Sequence, residues 1–121
     1  MLIVKLDEIK GVVMIEPDGP LSKQDFEAAV KIIDPFLEKH NHLNGLIIHT
    51  RSFPGWDSFA ALSSHLRFVK NHHKKILRVA FATDSMIGNF AEVVGKHFVN
   101  AEIKGFPYQA LEQARDWAAE I

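Results

Sequence analysis

The sequence has 121 residues, 47% of them hydrophobic and 24% charged, with 14 basic and 15 acidic side chains and no cysteine. That length suits a single domain over 1–121 with a core that needs no covalent staples, and the near balance of charge offers no overall field to draw in a nucleic acid. The lack of cysteine excludes disulfides, thiolate nucleophiles and cysteine-ligated metals, and it fits a reducing, cytoplasmic setting.

The opening runs LIVKL and GVVMIEP read as two short strands joined by the polar turn DEIKG, with Gly11 free to take a positive φ, so a hairpin is expected. The apolar part of this start is too short for a signal peptide, and no run reaches the ~18 apolar residues of a spanning helix. After the turn PDGP, Ser22 can cap a helix with Asp25 in its first turn. Phe26, Ala29, Val30, Ile33, Phe36 and Leu37 then recur at helical spacing, and Pro35 should kink or divide that helix.

The run GLIIHT follows as a strand, then a helix from about Asp57 to His72, the strand ILRVAFAT, a helix ending near Lys96, the strand NAEIK, and a helix from Pro107 to Glu120. Strands alternating with helices predict an α/β chain: a five-stranded, mostly parallel sheet with an N-terminal antiparallel hairpin and about four helices in successive right-handed βα turns. The apolar runs VVMI and LII suit its central strands.

In such sheets ligands bind beyond the carboxyl ends of the strands. Two loops there carry unusual residues. RSFPGWDS places Arg51, Phe53, Trp56, Asp57 and Ser58 around a Pro-Gly turn, and TDSMIGNF places Met86, Ile87 and Phe90. If their strands are neighbours, the apolar residues form one lip. Arg51 and the helix amino termini would suit a phosphate or carboxylate head, against which Asp57 and Asp84 would act unless Arg51 offsets them. The alternative is inward packing of Phe53, Trp56, Met86 and Ile87 as core.

The seven histidines show no metal-ligand spacing, so no metal is expected, and NHHKK reads as a cationic helix end. His49, beside Ser52 and Asp57, lacks a GxSxG elbow, which leaves a nucleophilic triad without support. On the second helix Phe59, Leu62, Leu66 and Val69 make a core face. On the last, Leu111, Ala114, Trp117, Ala118 and Ile121 do the same.

The runs LIIHTRSFPGWDSFAAL, LRFVKNHHKKILRVAFATD, HFVNAEIKGF and ALEQARDWAAEI together resemble the SpoIIAA-like family, whose fold is similar to the STAS domains of sulfate transporters and anti-sigma factor antagonists. The most specific pieces are Phe53, Gly55, Trp56 and Asp57, the phrase around Ile76, Arg78, Val79 and Ala80, and Ala114 with Trp117. The resemblance implies a binding module without catalysis or cofactor. Its expected contacts are a small amphiphilic or lipid-like ligand, or the inner face of a membrane, made through Arg51, Phe53, Trp56, Asp57, Ser58, Phe59, Met86, Ile87 and Phe90. A regulatory protein partner or a second copy of the chain is the alternative. The antagonists carry Asp-Ser-Ser-Gly where this chain has Asp57, Ser58, Phe59 and Ala60, so phenylalanine fills the phosphoserine position and only Ser58, next door, could be modified.

Overall fold

The computed structural model describes residues 2–51, 75–84 and 102–120. Five strands form one sheet in the order β1-β2-β3-β4-β5: β1 (Leu2–Asp7), β2 (Val12–Pro17), β3 (Leu43–His49), β4 (Ile76–Ala82) and β5 (Glu102–Phe106). β1 pairs antiparallel with β2, and every other neighbour is parallel. The hairpin between β1 and β2 turns as its sequence predicts. Asp7 Oδ1 accepts from the Ile9 and Lys10 amides at 3.1 Å each, and Gly11 takes φ 68°, a conformation that costs a residue with a β-carbon.

Among the described residues, two helices lie on opposite faces of the sheet. The first, α1 (Lys23–His40), begins with a reciprocal cap in which Ser22 Oγ accepts from the Asp25 amide at 3.1 Å and Asp25 Oδ2 accepts from the Ser22 amide at 2.8 Å. It ends at Asn41 in the left-handed region, whose amide bonds the Leu37 carbonyl. Pro35 does not divide it. The ring lies on the exposed side, and the helix continues through it to His40. Phe26, Ala29, Ile33, Phe36 and Leu37 are buried against Val13, Leu46, Val79 and Phe81, while Val30 packs at the margin.

The opposite face carries α2 (Leu111–Ala119) over Val12, Met14, Ile47, Ala80, Ala82 and Phe106. Alternation along the strands divides the two cores: Leu46 faces α1 and Ile47 faces α2, as Val79 and Ala80 do on β4. Ala114 and Ala118 are buried, and Leu111 and Trp117 pack beside them. Small residues here allow close approach: a β-carbon on Gly45 would lie 2.5 Å from that of Ala118.

β3 begins at Leu43, two residues before the expected run GLIIHT, and two later boundaries also differ from the expected ones. The last helix starts at Leu111, not at Pro107: Pro107 precedes it in a turn closed by the Ala110 amide on the Pro107 carbonyl at 2.9 Å. β5 runs through Phe106 instead of stopping at Lys104, because Gly105 and Phe106 continue the register opposite Phe81 and Ala82 and the Phe106 side chain is buried. The helices expected from Asp57 to His72 and ending near Lys96 fall outside the described residues. Among the described residues no helix is long and apolar enough to cross a membrane.

Candidate functional site

The carboxyl ends of β2, β3 and β4 and the chain leaving β5 meet at one edge of the sheet. The ladders continue one step past the strands there, through the Thr50 amide on the Ala82 carbonyl at 3.1 Å and the Thr83 amide on the Phe106 carbonyl at 3.0 Å, and both threonines are buried. Beyond them Arg51 and Asp84, where the two candidate loops begin, are held together. The Arg51 carbonyl accepts from the Asp84 amide at 3.2 Å and from Thr83 Oγ1 at 3.1 Å, and the Arg51 guanidinium stands 3.6 Å from the Asp84 carboxylate. Both side chains are exposed, so this ion pair orients the residues more than it stabilises the fold.

Tyr108 joins them from the turn before α2. Its amide donates to Asp84 Oδ1 at 3.3 Å, and the Arg51 guanidinium lies 4.6 Å from the centre of its ring. The same ring stacks on His49, with centroids 4.2 Å apart and planes 11° apart. His49 Nε2 is 3.1 Å from the Tyr108 carbonyl oxygen and Nδ1 is 2.9 Å from Glu16 Oε2. Glu16 also meets Lys5 at 3.5 Å. The hydrogen bond from His49 holds the Glu16 carboxyl below its ordinary value, with the Lys5 ammonium adding to the effect and partial burial opposing it.

Of the predicted site residues, Arg51 stands at this edge, and β3 and β4 are the parallel neighbours that a shared lip requires. Phe53, Trp56, Asp57, Ser58, Phe59, Met86, Ile87 and Phe90 lie outside the described residues, as does Ser52. Asp84 is paired with Arg51, the offset an anion at this edge would need. Glu16 and Tyr108 were missing from the sequence reading. Glu16 stands one residue before the end of β2 and His49 at the end of β3, and Ile15 pairs with Ile48 one step before them. Two polar residues ending adjacent apolar strands were therefore the available signal. Among the described residues no group of three or more His, Asp or Glu could hold a metal ion.

A mixed sheet, helices on both its faces and a polar edge at its carboxyl ends define a small α/β module of the STAS type. The family model described as SpoIIAA-like matches residues 12–119, and the chain belongs to that family. Among solved structures it is similar to an uncharacterised Shewanella loihica protein with a SpoIIAA-like fold. The TM-score is 0.72 at 19% identity, covering 98% of this chain and 92% of that one, a likeness of fold. No curated protein matches the sequence.

Proposed function

We propose that the chain is a non-enzymatic recognition module of the cytoplasm that binds an amphiphile, or the inner face of a membrane, through the loops that follow β3 and β4. The supporting observation is the tie between Arg51 and the Thr83–Asp84 step: hydrogen bonds from the Asp84 amide and the Thr83 hydroxyl to the Arg51 carbonyl, with the Arg51–Asp84 ion pair, start both loops side by side. Phe53 and Trp56 follow Arg51 within five positions and Met86 and Ile87 follow Asp84 within three, so anchored starts favour a shared apolar contact with the Arg51–Asp84 pair at its base. Tryptophan suits such a boundary, its body apolar and its N–H wet.

The absence of catalysis draws support from His49. Its ring nitrogens face Glu16 and the Tyr108 carbonyl within the fold, and its side chain is only 10% exposed, which keeps it from a substrate. A regulatory polypeptide is the second reading. It is favoured by the exposed, opposite charges of Arg51 and Asp84, a pattern that suits the mixed polarity of a protein surface. Sedimentation with anionic phospholipid vesicles tests the first. The chain should pellet with them, and a Phe53→Ser, Trp56→Ser variant should remain several-fold more in the supernatant. Equal recovery of both in the supernatant would move the assignment to the polypeptide.

A further inference from the structure

His49 stands between two groups that only accept hydrogen bonds. A carbonyl oxygen carries no proton, and the Glu16 carboxyl, held below its ordinary range, carries none near neutrality. Both contacts, 2.9 Å to Glu16 and 3.1 Å to the Tyr108 carbonyl, are therefore hydrogen bonds together only when the ring bears both of its protons. We propose that His49 is a proton-operated bolt. Doubly protonated, it fastens the turn before α2 to the end of β2; singly protonated, it releases that turn.

Which bond opens follows from the acceptors. A carboxylate is the stronger partner, so the neutral ring keeps Nδ1–H on Glu16 and turns a bare Nε2 lone pair toward the Tyr108 oxygen. The His49 side chain is only 10% exposed, so water cannot replace the lost donor unless the turn moves. Tyr108 is what moves, and its ring also lies beside the Arg51 guanidinium, so the change reaches the start of the loop after β3. The charged groups nearest this contact come from several elements. Lys5 on β1 pairs with Glu16 on β2; Arg51 after β3 pairs with Asp84 after β4; and Arg115 on α2 donates to Met14 Sδ on β2 at 3.7 Å. The bolt does not depend on what the edge binds.

The test is a pH titration of the full chain with nitrogen-15 in its histidines and backbone, between about pH 5 and 8, the range in which histidine changes charge. Both His49 ring nitrogens should be protonated at the acid end. Nε2 should lose its proton first, and the Tyr108 amide signal should shift with the same midpoint while its exchange protection falls. His49→Gln should abolish the Tyr108 transition, and Glu16→Gln, which removes the counter-charge, should move it to lower pH. A ring that holds one proton throughout, a Tyr108 amide that stays still while the ring titrates, or a transition that survives in His49→Gln would overturn the proposal. If His49→Gln does not fold, an unmoved transition in Glu16→Gln would overturn it equally.

Discussion

Gly45 on β3 and Ala118 on α2 touch so closely that a β-carbon added to the glycine would sit 2.5 Å from the alanine β-carbon and 2.7 Å from its carbonyl oxygen. This contact sets the depth at which α2 lies on the sheet. Gly45→Ala should therefore destabilise the chain by about 1–3 kcal/mol, the usual cost of overpacking a well-filled core. Urea melts measure it. Adding Ala118→Gly should restore part of the loss but not all, since the carbonyl obstacle remains.

Directly across the β3–β4 ladder from Gly45, Arg78 holds the same helix. Its Nη1 donates to the Trp117 carbonyl at 2.7 Å, its guanidinium lies 4.9 Å from the Trp117 ring centre, and its Nε stands 3.6 Å from Glu102 Oε2. With only 19% of the Arg78 side chain exposed, Arg78→Ala should cost about 1.5–3 kcal/mol in the same melts, the range for hydrogen bonds made by charged groups. Arg78→Lys should recover little of this, because an ammonium cannot both stack on the indole and reach two oxygens in a fork.

Glu16 makes stability depend on pH in a stated direction. Its carboxyl releases its proton more readily in the folded chain than in the unfolded one, so acid is taken up first by the unfolded chain. The contribution is complete above the ordinary value of 4.5 and is lost as the pH falls below it through the lower folded value. Melts of the wild type and Glu16→Gln should differ above that acid window, and the gap should close as the pH falls through it.

How far the sequence determines this picture is seen element by element. The hairpin and the start of α1 were legible because their signals are local: Asp7 and Gly11 in one turn, Ser22 and Asp25 in one cap. The start of α2 was not. Proline is favoured in the first turn of a helix, yet Pro107 precedes α2 because both polar groups of the Tyr108 backbone are engaged elsewhere, the amide by Asp84 and the carbonyl by His49. β5 was placed two residues early, since Gly105 before an aromatic and a proline resembles a turn until Ala82 is known to lie opposite Phe106.

The site divides in the same way. Arg51 at the end of an apolar run was readable, whereas Glu16 and Tyr108 reach His49 across 33 and 59 positions of chain. No local pattern joins them. Only the parallel pairing of β2 with β3 and the path of the chain after β5 bring the three residues together.

The central claim, a recognition edge with Trp56 as its anchor, is tested most directly by fluorescence of Trp117→Phe, in which Trp56 is the one remaining tryptophan. Spectra would be taken with and without anionic vesicles and a long-chain fatty acid. The account predicts red, quencher-accessible emission that shifts blue and becomes shielded on addition. Accessible emission that does not respond would point to a polypeptide partner at the same edge. Emission already blue and shielded in the free chain would contradict the account, because Trp56 would then belong to the core.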